Sequence, residues 1–364
     1  MNTLRLIKSN YTYADFSTNL SPALERALDE RVSGNTVSLN IFPQDSFTVG
    51  FLDDPEKSLD LKYCEQQKIV VRRRKNAGGA IFGAKGAAFI CFYLDRRIPW
   101  VPVKTVKDLF PFFLKILADV LNEQYGLATA YRPLNDIEVG GRKIVATSAR
   151  LENDIMTLRC LLNVKPTNRE VLSKAVIAHA EKFKDKKTKT VGERFTCLEE
   201  ETARTIADSE LEDITLKVVA RAFGPNVTLL NDEMTELEKK YAQEMHRECT
   251  SEDWFYANSE KVRFKEIPPD VKKVEGLHKA PAGLIRFILL VKGDRIHDLI
   301  ITGDFHPAPY SVLKDMENAL RGKPIDIEEI KKEITKVYSL PDVEIAGTDV
   351  QDFITACEKA ISNL

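Results

Sequence analysis

Paired cysteines and metal-ligand spacings are missing from this chain. Its six cysteines, at 64, 91, 160, 197, 249 and 357, include no Cys-x-x-Cys pair, and its five histidines are dispersed. That excludes the usual zinc-site patterns and a disulfide scaffold, and it fits reduced thiols in a cytoplasm. Long apolar runs are also absent: nothing approaches the ~20 residues that a bilayer-spanning helix needs. The first residues, Met1-Asn2-Thr3-Leu4-Arg5-Leu6-Ile7-Lys8, lack the apolar centre and small-residue cleavage site of a secretory signal. Charge of one sign is not in excess, with 53 Lys and Arg against 55 Asp and Glu. A bulk electrostatic grip on nucleic acid is therefore not expected.

What is present is material for packed cores. The 364 residues are 43% hydrophobic and 30% charged, which allows about two folded domains. An amphipathic helix is predicted from Pro22 to Val32, with Ser21 as its cap and proline in the first turn. Strands are predicted at 36–42, 46–51, 69–73 and 87–94. A long helix over 106–125 carries Leu109, Phe112, Phe113, Ile116, Leu117, Val120 and Leu121 at helical spacing. Residues 137–139, the pair Gly140-Gly141 and residues 143–150 read as a hairpin, and 158–164 as a further strand. Helices are expected near 209–223 and 233–247. Pro268-Pro269 marks an exposed connection, after which two strands (284–291, 295–302) and three helices (312–320, 327–337, 351–362) form a small α+β tail.

Two stretches carry chemistry. The first is Arg72-Arg73-Arg74-Lys75-Asn76-Ala77-Gly78-Gly79-Ala80, which lies between β-rich segments. Guanidinium forks suit phosphate or carboxylate, and adjacent glycines let backbone N–H groups approach an anion. A basic surface hairpin accounts for the same residues. The second stretch runs from Asn135-Asp136 through Gly141-Arg142-Lys143-Ile144. A carboxylate there can hold hydrated Mg2+ on phosphates, and a lysine can stabilise charge building on an oxyanion. Solvated side chains beside a Gly-Gly turn are the plainer alternative. Lys182–Lys189 reads as a solvated loop or a basic contact for an acidic partner; without aromatics beyond Phe183 it gives little support for base stacking.

Taken together, these motifs resemble the lipoate–protein ligase family of the biotin/lipoate ligase superfamily, in its two-domain form. Arg73-Arg74-Lys75-Asn76-Ala77-Gly78-Gly79-Ala80 stands where the family has Arg-Arg-x-Ser-Gly-Gly-Gly-Ala, and Asn135-Asp136 and Gly141-Arg142-Lys143-Ile144 follow in order. Thr190-Val191-Gly192-Glu193-Arg194-Phe195-Thr196 is similar to the loop that folds over the adenylate, and Ile301-Thr302-Gly303-Asp304-Phe305 to part of the accessory C-terminal domain.

The resemblance implies an α+β catalytic domain over 1–258, with a mixed or antiparallel sheet, and an accessory α+β domain over 259–364. It implies activation of lipoate, octanoate or a related acid with ATP and Mg2+ to an acyl-adenylate, then transfer to a lysine of a lipoyl-carrier domain. Neither nucleic acid nor membrane enters that reading. The residue roles it implies are Lys143 on the reacting oxygens, Asp136 on the metal, and Arg73, Arg74, Asn76, Gly78, Gly79, Asn135, Thr190 and Arg194 on the nucleotide. These residues are expected to converge on one nucleotide-sized cleft. The chain departs from the pattern at Asn76-Ala77, Gly83-Ala84 and Val145-Ala146-Thr147. An altered acid, a specialised carrier or a weakened, merely binding relative would follow from that drift. An ATP-independent transferase of the same fold needs a cysteine nucleophile, and residues 128–139 contain none.

Overall fold

The apolar stretch at 87–94 has no polar face, so it belongs at the centre of a sheet covered on both sides. The protein, a computed structural model, is described over residues 2–133, 135–177, 195–281, 283–345 and 347–364. In chain order the strands are β1 (Asn2–Ser9), β2 (Thr36–Ile41), β3 (Ser46–Val49), β4 (Val70–Arg73), β5 (Ile81–Gly83), β6 (Ala88–Asp95), β7 (Thr129–Arg132), β8 (Asp136–Val139), β9 (Arg142–Glu152), β10 (Ile155–Leu162) and β11 (Val227–Asp232). The tail contributes β12 (Val271–Ala280), β13 (Gly283–Lys292), β14 (Arg295–Gly303), β15 (Pro307–Ala308) and β16 (Glu344–Ile345). Two compact units result, each discontinuous in sequence. Among the described residues the first holds 2–47, 82–172 and 195–248, and the second holds 48–81, 173–177 and 249–364.

The first unit is built on an eight-stranded sheet of order β11-β1-β2-β6-β10-β9-β8-β7. β1 runs parallel to both β11 and β2, whereas β6, β10, β9, β8 and β7 follow in antiparallel pairs. The sheet is therefore mixed, as the α+β reading expected. All eight residues of β6 are buried. Ile90, Phe92 and Leu94 join the core beneath the long helix Val106–Tyr125 and the helix Asp208–Phe223, where the Phe92 and Phe113 rings lie 4.6 Å apart. Phe89, Cys91 and Tyr93 face the opposite way, onto Tyr13, Phe16, Leu20 and Leu24.

The long helix has the bounds its periodicity predicts, with Thr105 accepting from the Asp108 N–H and Gly126 closing it at φ 67°. The first helical region differs from expectation. Helical backbone begins at Tyr13, capped by Thr12, passes through a π-helical turn at Phe16–Leu20, and continues as Ser21–Asp29. Ser21 thus lies inside the helix, and its hydroxyl serves Glu25 and Arg159 instead of a cap. β1, β7 and β11 were not anticipated either. Their residues become strands because a neighbouring strand accepts them, which is a tertiary matter.

In the second unit β12, β13 and β14 form an antiparallel meander under the helices Val312–Leu320, Ile327–Tyr338 and Val350–Ile361. The last of these is capped by Asp349. β12 is an addition to the two expected strands. Its lysines and glutamate conceal it from a hydrophobic pattern, yet charge is what an edge strand requires. At Gly276 the last helix lies directly on the strand, since a Cβ there would meet Ala356 O at 2.2 Å. Among the described residues no helix is long and apolar enough to cross a membrane.

Candidate active site

In the first unit the Gly140-Gly141 turn has positive φ at both residues, 56° and 72°. That is the requirement of a two-residue turn whose twist matches its strands. Val139 pairs with Arg142 and Glu138 with Lys143, but Ile137 pairs with Val145, so Ile144 is an extra residue on β9. The bulge explains why Ile144 and Val145 are both fully buried, which strict alternation forbids. It also re-aims Lys143. Its ammonium lies 2.6 Å from Asp136 Oδ2, with the two side chains 28% and 20% exposed.

The other carboxylate oxygen, Asp136 Oδ1, is buried and has no hydrogen-bond partner among the described residues. Asn135 is committed locally: its Nδ2 donates to Thr147 O at 2.7 Å, and the Thr147 hydroxyl donates back to Asn135 O. Thr147, one of the departures from the family pattern, thus fixes the start of β8. A segment following the undescribed stretch then returns to β9. Phe195 bridges Lys143 in parallel, the Thr196 N–H donates to Lys143 O at 3.0 Å, and the Lys143 ammonium lies 5.7 Å from the centre of the Phe195 ring. Glu201 joins the two chain segments by accepting from Arg142 Nη2 at 2.6 Å and from the Thr196 hydroxyl.

The second unit holds the arginine-glycine turn, where the guanidinium groups act on the chain itself. Arg73 is fully buried; it donates to Phe255 O at 3.0 Å and to Phe51 O. Burial pushes its pKa down to about 10 against the pull of Asp53 and Asp54. Asp54, also buried, is pushed up to about 6 by desolvation. Arg74 donates to Thr48 Oγ1 at 3.0 Å, Ala77 O at 2.8 Å and Gly79 O at 2.9 Å, and so holds the turn closed.

Asn76 O accepts the Phe51 N–H at 2.9 Å, and the Ala77 N–H donates to the Tyr310 hydroxyl at 3.1 Å. Phe51 stacks on Tyr310, ring centres 5.2 Å apart. Gly78 has φ 94°, and a Cβ there would lie 3.2 Å from His306 Nε2; one on Gly79 would lie 3.2 Å from Asp304 Oδ2. Gly50 packs so closely that a Cβ would come 1.7 Å from Gly78 O.

Of the residues singled out in sequence, Asn135, Asp136 and Lys143 are brought together on one hairpin of the first unit. Arg73, Arg74, Asn76, Gly78 and Gly79 share one turn of the second. Thr190 and Arg194, and the lysine stretch 182–189, lie outside the described residues. Sequence reasoning did not find Phe195, Thr147, Glu201 or Gly50 as partners of these groups. Only Phe195 and Thr147 had been noticed, one as part of a loop and the other as a departure.

The donor set can be tested against a divalent cation. Mg2+ keeps most of its waters and takes one or two carboxylates. Asp136, with a buried oxygen that has no partner, meets that requirement, although no cluster of three or more His, Cys, Asp or Glu side chains exists among the described residues. No cysteine suits a nucleophilic role. All six are buried, with the Cys64 and Cys197 thiols pushed up to about 11 and Cys91 and Cys357 to about 12 by desolvation.

A mixed-sheet α+β unit followed by a small α+β tail is the fold of solved lipoate ligases. The chain belongs to the lipoyl protein ligase A/B catalytic domain family, whose model matches residues 18–220. Lipoate–protein ligase 2 of Staphylococcus aureus is 22% identical over 310 residues, spanning 82% of this chain and 84% of that protein. Among solved structures, LipL1 of P. falciparum in complex with lipoate superposes with a TM-score of 0.65 at 14% identity, over 94% of this chain and 95% of that one. Lipoate–protein ligase A bound with ATP gives 0.56 at 16% identity, over 70% and 99%.

Proposed function

We propose that this protein is an ATP-dependent lipoate–protein ligase. A carboxylate oxygen of lipoate, octanoate or a related acid attacks the α-phosphorus of ATP, forming an acyl-adenylate as pyrophosphate leaves. The amine of a lysine on a lipoyl-carrier domain then attacks the acyl carbonyl, and AMP departs. The observation that carries this reading is the Lys143–Asp136 pair, half-buried on a bulged hairpin, with one carboxylate oxygen uncommitted among the described residues.

Lys143 supplies a fixed positive charge for the oxygens on which charge grows in both steps, which is electrostatic stabilisation and not covalent catalysis. Asp136 would hold Mg2+, which when bound neutralises phosphate charge. Asn135, Arg73, Arg74, Asn76, Gly78, Gly79, Thr190 and Arg194 are assigned to the nucleotide. The reading also keeps 1–258 as the catalytic part and 259–364 as an accessory part; among the described residues the core of the tail draws Leu52, Ala77 and the partly buried Phe51 from before that boundary. The solved ligase that binds ATP supports the choice of nucleotide, since this chain shares its fold.

Pyrophosphate release measured across short and medium-chain acids, with wild type and Lys143→Ala side by side, tests the proposal. Acid-dependent release that collapses in the variant is expected. Release with no acid dependence, or none with any acid, overturns it. An ATP-independent transferase is not favoured, because the buried, high-pKa thiols offer no nucleophile.

A further inference from the structure

The ligase reading gives Lys143 its task but not the means of keeping a flexible, four-carbon side chain on target. Asp136 alone is a poor holder. It neutralises the charge that an incoming anion is meant to feel, and it must loosen its grip when that anion or a cation arrives. A second holder is present. The Phe195 ring lies 5.7 Å from the Lys143 ammonium, within the range at which an aromatic face attracts a cation. An aromatic ring carries no net charge, so it can hold the ammonium without cancelling it.

Three further contacts make this more than a chance approach. Phe195 and Lys143 are partners in a parallel bridge, which sets their side chains next to one another. The Thr196 N–H bond to Lys143 O, 3.0 Å, locks that register. Glu201 then ties both neighbours, Arg142 on β9 and Thr196 beside Phe195. Phe195 is 36% exposed, so a core-packing role does not explain a large aromatic there. A hydrophobe of similar size would fill the same space without attracting a cation.

We infer that Phe195 is a positioning residue for Lys143: its ring retains the ammonium, still fully charged, when Asp136 turns to a phosphate-bound cation. The inference rests on the ligase reading for its catalytic consequence and on geometry for the pairing itself.

Phe195→Leu keeps apolar bulk and removes the π face, whereas Phe195→Tyr keeps both. With lipoate, ATP and a carrier domain, Leu should lower kcat for acid-dependent pyrophosphate release by about two- to fivefold, with KM for ATP moving less, and Tyr should restore it. In a Lys143→Ala background the Leu substitution should have no further effect. Equal impairment by Leu and Tyr, or effects that simply multiply in the double variant, overturns the inference.

A readout independent of activity separates the two claims. In protein carrying 13C-dimethylated lysines, the Lys143 signal, identified by its loss in Lys143→Arg, should show a ring-current shift that disappears in Phe195→Leu. No such shift overturns the pairing. A wild type that shows the shift but no acid-dependent pyrophosphate release overturns the ligase reading instead.

Discussion

The Asp136–Lys143 hairpin and the Arg73–Ala80 turn carry similar residues, namely cations, polar side chains and a glycine pair, but they treat charge in opposite ways. On the hairpin, the lysine side chain is about a quarter exposed and the carboxylate keeps one oxygen without a partner among the described residues. In the turn, Arg73 is buried on backbone carbonyls and Arg74 closes the loop on itself. A charge left available can act on a ligand. A charge placed on the chain's own carbonyls first builds the loop that presents other groups. The glycines differ in the same sense: Gly140 and Gly141 serve turn geometry in open space, whereas Gly50, Gly78 and Gly79 permit close packing.

If this contrast is right, substitutions in the two regions should split between activity and stability. Lys143→Ala should cut pyrophosphate release by about 10²–10³-fold, while its thermal midpoint stays close to that of wild type. Arg73→Met should instead show its main effect on folding. It removes the donor that Phe255 O and Phe51 O receive inside the turn, at a cost of about 3 kcal/mol in denaturant unfolding.

A pH series sharpens the same point. Asp54 has a folded pKa near 6 against an ordinary 3.8. The folded state therefore binds the proton more tightly, and its stability falls as pH rises between about 4 and 6 and stays lower above. Asp54→Asn retains the capping oxygen and should abolish that slope, with a difference from wild type of up to about 3 kcal/mol at pH 7 that shrinks towards pH 4. The smallest expected effect is that of Thr147→Val, which removes the bond to Asn135 O and should cost about 1–2 kcal/mol in urea unfolding. A loss of activity larger than its stability cost would move Asn135 from scaffold to ligand contact.

Much of the frame was legible because its signals are local. The 106–125 helix announces itself by apolar residues on one stripe, a threonine cap and a terminal glycine. β6 follows from an unbroken apolar run, and the β8–β9 hairpin from its glycine pair. Other strands were concealed. β12 looks like a charged linker, and β1 and β11 declare themselves only through their strand partners. Ser21 was misplaced as a cap because the helix already runs through it from the π-helical turn.

The order of motifs along the chain, Arg-Arg followed by Gly-Gly, Asn-Asp and Gly-Arg-Lys, was fixed by sequence and sufficed to point to the family. Which of those cations remains available was decided by tertiary structure alone. Burial of Arg73, the one-residue bulge at Ile144 and the return of Phe195 to β9 depend on register and on contacts between residues far apart in the chain. Local hydrophobic periodicity carries no record of them.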